Sequence, residues 1–198
     1  MQFKVNFSGN TYHRHSDEEL VVLIRSGNEP AFNELFERYG KQMYWYFIKM
    51  LNHDTEGAKD FLQDLFLKIL EKSRDFNEEK KFKSWLYTIA TNMCINEHNR
   101  KKFRHEKNDH LFVHQKNKVD HLQIEDMVDK KTILNQVMQI INKLNPETRS
   151  IFLLRFQEDM NIKQISEIVS LPEGTVKSRL FYIIKKLTQR FHNHLQQE

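Results

Sequence analysis

Glycine and proline are scarce in this sequence. It contains 5 glycines and 3 prolines among 198 residues. Sandwiches and barrels of β-strands turn every few residues and use glycine and proline at those turns, so the scarcity argues against an all-β fold. Long segments of helix-forming residues remain, and they predict an all-α protein.

Cysteine is nearly absent too. The chain has a single cysteine, Cys94, which excludes an internal disulfide and a cysteine-rich zinc site. We therefore predict a reducing compartment, the cytoplasm. Cys94 falls on the apolar side of a predicted helix, where a buried, inert thiol is expected rather than a redox sensor.

The chain also lacks long apolar runs and a strong charge of one sign. No run approaches the roughly 20 apolar residues that cross a bilayer, and the first residues have no apolar signal-peptide core. The formal net charge is +4, which permits nucleic-acid binding without requiring it. We interpret residues 1–15 as a flexible leader.

Helical patterns fill residues 16–104. Ser16 and Glu19 form a capping-box pattern that predicts the start of a short helix, and Pro30 suits the first turn of the next helix. From Ala31 onward, apolar residues recur at helical spacing and predict one long helix with a buried stripe. These residues are Phe32, Leu35, Phe36, Tyr39, Met43, Tyr46, Phe47 and Met50.

Two further helices are predicted in the same half of the chain. The segment EGAKDFLQDLFLKILEKS combines an apolar face with an opposite face that carries Asp60, Gln63 and Asp64. The segment KSWLYTIATNMCINEHNRKKFR becomes basic at its end. Within it, the spacing of Trp85 with Ile89 predicts a core residue rather than a wedge that stacks on bases.

Residues 105–131 are polar, with scattered hydrophobic residues and no sustained apolar face. They predict a flexible linker between two small helical domains, residues 16–104 and 132–198. Four histidines lie in the linker: His105, His110, His114 and His121. Their irregular spacing and the lack of a nearby cysteine argue against a metal site, and we predict neither a metal nor another cofactor.

The C-terminal domain ends in a helix-turn-helix pattern. Asn145 and Pro146 predict one helix start. NIKQISEIVSLPEGTVKSRLFYIIKKL then predicts a short helix, a tight turn at SLPEG and a longer helix. Thr175 is the expected cap of the longer helix. The inward positions of that helix are predicted to be Val176, Leu180, Ile183, Ile184 and Leu187.

The outward side of this last helix suits DNA. In a helix-turn-helix the second helix enters the major groove, and here its surface carries basic residues that can pair with phosphates. An ordinary solvated amphipathic helix is the alternative. The short helix and tight turn that precede it favour DNA binding.

Taken in order, these motifs resemble bacterial sigma factors of the sigma-70 family, and the short linker resembles their extracytoplasmic-function group. LNPETRSIFLLRFQEDMNIKQISEIVSLPEGTVKSRLFYIIKKL is similar to region 4, and AFNELFERYG, DFLQDLFLKIL and FKSWLYTIATN are similar to region 2. The resemblance covers residues 17–103 and 132–191. It implies a transcription initiation factor, not an enzyme, that binds core RNA polymerase, recognises the −10 and −35 promoter elements and helps to open the duplex.

The resemblance also implies site residues and partners. Polymerase binding is expected at Asp60, Gln63, Asp64 and Phe66. Binding of −10 DNA is expected at Lys80, Lys81, Lys83, Asn92, Asn96, Arg100 and Lys101. Binding of −35 DNA is expected at Thr175, Lys177, Ser178, Arg179, Phe181 and Lys185. The expected partners are core polymerase, promoter DNA and a membrane-anchored anti-sigma factor, with no small-molecule substrate.

Two other classes of protein account for less of the chain. A stand-alone helix-turn-helix repressor or activator explains the C-terminal domain but leaves the N-terminal helices without a role. A helical nuclease or hydrolase needs clustered carboxylates or histidine ligands. Asp60 and Asp64 lie one turn apart, but no HExxH, Walker or nucleophile motif accompanies them.

Overall fold

The computed structural model describes residues 11–108 and 130–195. The α-helices are α1 (Asp17–Arg25), α2 (Glu29–Met50), α3 (Thr55–Lys72), α4 (Phe82–Asn108), α5 (Lys130–Asn142), α6 (Pro146–Phe156), α7 (Ile162–Val169) and α8 (Glu173–Leu195). Two short 3-10 turns, Thr11–Arg14 and Ser73–Asp75, complete the described part, which contains no strand. The predicted all-α fold is confirmed. None of the helices in this part has both the length and the hydropathy of a membrane span.

Several helix starts follow directly from their local sequence. The Ser16 side chain accepts a hydrogen bond from the Glu19 N–H, and the Glu19 carboxylate accepts one from the Ser16 N–H at 2.7 Å. Pro30 lies in the first turn of α2, and Asn145 caps α6 ahead of Pro146. These contacts satisfy N–H groups that have no partner within their helix, and they confirm the predicted starts.

The first compact unit of the chain, Met1–Ala90, has an aromatic core. Tyr46 and Tyr87 are fully buried and meet edge to face, with ring centroids 5.2 Å apart. Phe82 is also fully buried and lies under Tyr39 and Trp85. Burying several rings in one small unit supplies much of its hydrophobic stabilisation.

Not every apolar position of α2 is covered. The sequence predicts Phe36 in the buried stripe, but 45% of this residue is exposed. Its ring lies beside that of Phe66, with centroids 4.8 Å apart, at the outer edge of the contact between α2 and α3. The prediction of a buried Phe36 is wrong because helical spacing gives the stripe but not where the neighbouring helix stops covering it.

Residues 11–15 differ from the predicted flexible leader. Thr11–Arg14 form a 3-10 turn, and Arg38 holds this segment against α2 by hydrogen bonds to three carbonyl groups, those of Tyr12, His13 and His15. The His13 ring also contacts the Glu34 carboxylate at 2.8 Å. The remainder of the predicted leader lies outside the described residues.

The second compact unit, Thr91–Glu198, contains the end of α4 and helices α5 to α8. Thr91 Oγ1 and Ser150 Oγ are both buried and lie 3.1 Å apart. Cys94 is buried, as predicted, and burial raises the pKa of its thiol, which keeps the thiol protonated and unreactive at neutral pH.

Two helices extend into the range that the sequence analysis assigns to a linker. Helix α4 continues to Asn108 and α5 begins at Lys130, so both extend into the range 105–131. His105 lies in α4, and the other three linker histidines lie outside the described residues.

Candidate nucleic-acid and protein interfaces

Helix α3 carries the predicted docking face. Asp54 caps its start by accepting a hydrogen bond from the Gly57 N–H at 2.9 Å. Asp60, Gln63 and Asp64 are all exposed, and their spacing of three and four residues places them on one side of the helix. The arrangement gives a partner two negative charges and an amide on a rigid element.

Phe66 does not belong to that exposed face. It is 3% exposed, and its ring meets the rings of Phe32 at 5.8 Å and Phe36 at 4.8 Å. Direct contact between Phe66 and a partner is therefore excluded in this structure. Its ring instead holds α3 against α2, because both of its aromatic neighbours belong to α2.

Two apolar side chains that the sequence analysis did not assign flank the acidic face. Leu67 is 55% exposed and Leu70 is 42% exposed. Leu67 follows Asp60 and Asp64 at helical spacing, so it continues their side of α3. In the sequence, only this helical spacing indicated that Leu67 lies on the acidic side, and the same spacing also fits an ordinary buried stripe.

Arg25 orders the loop that leads into α4. Its guanidinium donates to the carbonyl of Ser73 at 2.7 Å, to the carbonyl of Phe76 at 2.6 Å and to the Glu78 carboxylate at 2.6 Å. Charge-assisted bonds of this kind are stronger and more directional than neutral ones. The loop presents Lys80 and Lys81, which are both exposed and therefore accessible to a partner.

Helix α4 presents a row of polar side chains. Asn92 and Asn96 are exposed and one turn apart, and Arg100 continues the row after another turn. Arg100 and Lys101 both pair with Glu97, the latter at 3.7 Å, and each keeps 61% of its side chain exposed. These two cations therefore remain accessible to a partner.

Lys83 and Trp85 lie at the beginning of α4. The Lys83 ammonium is 6.0 Å from the centre of the Tyr87 ring, and Lys83 is half-buried. Trp85 is half-buried against Phe76 and Phe82, with ring centroids 5.0 Å and 6.0 Å away. This agrees with the prediction that Trp85 is a core residue.

Helices α7 and α8 form the predicted helix-turn-helix. Asn161 and Gln164 make a capping box at the start of α7, and Ser170 ends that helix in a left-handed conformation with φ of 54°. Helix α8 begins at Glu173, and the Pro172 carbonyl accepts from the N–H groups of Thr175 and Val176. Thr175 therefore lies inside the first turn and is not the cap that the sequence predicts.

The outward face of α8 contains most of the predicted DNA-facing residues. Lys177, Ser178, Phe181 and Lys185 are exposed, and Thr175 is half-buried. Val176, Leu180 and Ile183 are buried as predicted. Ile184 is 46% exposed, so its predicted inward position is wrong, because the helices beneath α8 cover a narrower stripe than its apolar residues span.

The basic side chains of α8 differ in availability. Arg179 is bound to the Glu147 carboxylate of α6, and both side chains are about one-third exposed or less. Lys177 lies 3.8 Å from Glu173 and is 64% exposed, so its ammonium remains accessible. Tyr182, which the sequence analysis did not assign, is 66% exposed on the same helix.

One cluster in the described residues has the composition of a metal site. His13, Glu34 and Glu37 place one ligand atom each within 4.8 Å of one another. The Glu34 oxygen that meets His13 also accepts a hydrogen bond from Arg38 Nε at 2.8 Å. A guanidinium at this distance repels a second cation, so we assign the cluster to the ionic network that holds the first turn.

Comparisons with known proteins match two separate parts of the chain. A family model described as Sigma-70 region 2 matches residues 35–104, and one described as Sigma-70, region 4 matches residues 134–187. The chain is 28% identical to the ECF RNA polymerase sigma factor SigW of Bacillus subtilis, over 82% of this chain and 90% of that protein. It is 27% identical to the ECF RNA polymerase sigma-E factor of Haemophilus influenzae, over 84% and 90%.

Solved structures share the fold. CnrH, in complex with the cytosolic domain of CnrY, superposes with a TM-score of 0.64 at 20% identity, covering 90% of this chain and 99% of that one. RpoE of Bartonella quintana, in complex with the anti-sigma factor NepR, superposes with a TM-score of 0.61 at 19% identity, covering 80% and 94%.

Proposed function

Because the chain belongs to the sigma-70 family, and within it to the extracytoplasmic-function sigma factors, we propose that its exposed surfaces bind different partners, one surface binding polymerase and two binding DNA. Its matches to region 2 and region 4 together cover more than half of the chain. The protein is a promoter-directing RNA polymerase sigma factor. The proposal concerns which residues bind polymerase, which bind DNA, and where the domains begin and end: residues 16–104 and 132–198.

Core RNA polymerase binds the acidic face of α3 through Asp60, Gln63 and Asp64. A basic helix of the polymerase fits this face, because the two carboxylates attract its cations and the amide adds a directional hydrogen bond. Leu67 and Leu70 add apolar area beside the charges. Apolar contact surrounded by polar groups is the usual arrangement of a specific protein interface.

DNA of the −10 element binds along the loop before α4 and the outward row of α4. Lys80 and Lys81 neutralise phosphates, while the Asn92 and Asn96 amides hydrogen-bond base edges or unstacked bases. Arg25 supports this role, because it holds the loop in place before DNA arrives. Arg100 and Lys101 extend the contact to duplex phosphates, and Lys83 adds a further cation.

DNA of the −35 element binds α8. The helix has a buried stripe facing its own domain and an exposed face with cations, a hydroxyl and an aromatic ring, as a groove-reading helix requires. Lys177 and Ser178 can hydrogen-bond base edges, and Phe181 can contact a thymine methyl group. Lys185 binds phosphate, and Arg179 does so only after exchanging its contact with Glu147.

The remaining assignments follow from this role. The protein contributes no catalytic groups of its own and acts in the cytoplasm, where RNA polymerase works. An anti-sigma factor anchored in the membrane controls it by covering the surfaces that face polymerase. The exposed side chains of Phe36, Leu67 and Leu70 support such a partner, since adjacent exposed apolar residues often mark a protein interface.

Reconstitution with core RNA polymerase tests the function as a whole. The purified chain is added to core enzyme on a library of genomic DNA fragments, and transcript start sites are sequenced. A shared pair of motifs upstream of the starts is expected, with no such starts from core enzyme alone. Random starts, equal with and without the chain, would contradict the function.

The docking surface has a separate test in the variant Asp64→Lys. Reversing one charge at the centre of the acidic face should reduce core binding at least tenfold, since like charges across an interface cost on the order of several kcal/mol. Glu37→Lys, at an exposed position of α2, serves as the control and should bind normally. Wild-type co-purification of Asp64→Lys with core enzyme would show that another surface docks.

A further inference from the structure

Two neighbouring aromatic residues stand out on the outer side of α8. Tyr182 is 66% exposed and Phe181 is 62% exposed, the two highest values among the large hydrophobic residues of the described part. Leaving such surface in water has a cost, and adjacent exposed rings usually mark a contact with a partner. The proposed function uses Phe181 but gives Tyr182 no role.

The two rings point to different sides of the helix. Successive residues of an α-helix are rotated by about 100°, so Phe181 lies on the side of Lys177 and Tyr182 on the side of Lys186. Ser178 lies one turn before Tyr182, and Lys186 lies one turn after it. The ring centroids of the pair are 5.7 Å apart at an interplanar angle of 72°, so each ring restricts the other.

A helix in the major groove has three functional zones. Its central strip meets base edges, while its two flanks face the sugar–phosphate backbones of the two strands. Tyr182 lies on a flank together with Lys186, which is exposed. A phenol hydroxyl donates well to a phosphate oxygen, and tyrosine is among the side chains that commonly make this contact.

We propose that Tyr182 is a DNA-positioning residue whose hydroxyl donates a hydrogen bond to a backbone phosphate beside the −35 element. Its ring supports Phe181 at the bases, and Lys186 binds the same backbone through its charge. This inference rests on the proposed function, because it requires α8 to lie in the groove. It adds a residue that fixes the orientation of the helix without reading sequence.

The test uses the full chain bound to core RNA polymerase and a promoter fragment obtained from the library experiment. The affinity of Tyr182→Phe is measured on this fragment and on one with a substituted −35 element. Loss of one hydroxyl–phosphate bond should weaken both affinities by the same factor, about three- to tenfold. Tyr44→Phe removes a hydroxyl from α2 and should leave both unchanged.

Two results for Tyr182→Phe would contradict the inference. Tyr182→Phe with wild-type affinity overturns the inference, and so does a loss confined to the native −35 sequence, because that would show base recognition. Lys177→Ala and Phe181→Ala serve as reference variants that should change the ratio of the two affinities. If these two variants also bind like wild type, the assignment of α8 to DNA fails as well.

Discussion

At the scale of single residues, Glu34 is an ionisable side chain that lies in the protein interior. Its side chain is 1% exposed and accepts hydrogen bonds from Arg38 Nε at 2.8 Å and from the His13 ring at 2.8 Å. Burial opposes ionisation of Glu34, but the bonds from Arg38 and His13 outweigh it and lower the pKa of the carboxyl. Arg38 links Glu34 to Asp17 as well, at 2.6 Å.

The lowered pKa predicts how Glu34→Gln depends on pH. A carboxyl with a depressed folded-state pKa stabilises the protein above its ordinary value of 4.5, and this stabilisation is lost as pH falls through the folded-state pKa. The variant should therefore lower the free energy of unfolding by about 1–3 kcal/mol at pH 7, and by less below about pH 4.5. Urea unfolding followed by circular dichroism measures the difference.

Glu71→Gln provides the control for this prediction. Glu71 is exposed and lies on α3, away from His13 and Arg38 in sequence, so its substitution should change stability little at any pH. The difference in the free energy of unfolding between wild type and Glu34→Gln should shrink as the pH falls. A difference that stayed constant down to pH 3 would contradict the role of the ionised carboxyl.

At the scale of elements, the loop between α3 and α4 depends on a side chain from α1. Arg25 is 48 residues from Ser73 and 51 from Phe76, yet it donates to both of their carbonyls. Glu18, also on α1, accepts from the Phe82 N–H at 3.0 Å and so helps to start α4. Helix α1 thus positions the lysines that we assign to the −10 element.

Arg25→Gln should release this loop. Loss of its bidentate contact with two carbonyls should increase amide hydrogen exchange over residues 73–82 and slow DNA opening, measured by permanganate reactivity of unpaired thymines. Core binding should remain normal, because α3 keeps its packing against α2. The neighbouring Arg74→Gln, at an exposed position, is the control. Unchanged exchange in Arg25→Gln would show that other contacts hold the loop.

At the scale of the whole molecule, the residues that we assign to polymerase docking and those that we assign to −35 recognition belong to different compact units. The acidic face of α3 belongs to Met1–Ala90, and α8 belongs to Thr91–Glu198. Each surface is built on helices with their own buried stripe. Substitutions at exposed positions of one surface should therefore leave the other surface intact.

Lys177→Ala combined with Phe181→Ala should separate the two functions. The double variant loses a cation and a ring from the outward face of α8, so initiation at promoters that depend on the −35 element should fall about tenfold or more. Core binding should equal that of wild type, which is the opposite of the result expected for Asp64→Lys. Run-off transcription and co-purification measure the two properties. Undiminished initiation at such promoters would contradict the groove assignment.

The sequence alone was sufficient for features that depend on neighbouring residues. The helix starts at Ser16 and Asn145 follow from caps within one turn, and the exposure of Asp60 and Asp64 follows from helical spacing. Both depend on residues no more than about four positions away. The resemblance to sigma regions 2 and 4 also required only the order of short motifs.

The tertiary structure decided what depends on distant residues. Phe66 is buried while Phe36 and Ile184 are partly exposed, although all three occupy apolar positions at helical spacing. Arg25 and Arg38 donate hydrogen bonds to groups more than 20 residues away in the sequence. Periodicity specifies which side of a helix is apolar, whereas the extent of its burial and the partners of its long polar side chains depend on which other helices pack beside it.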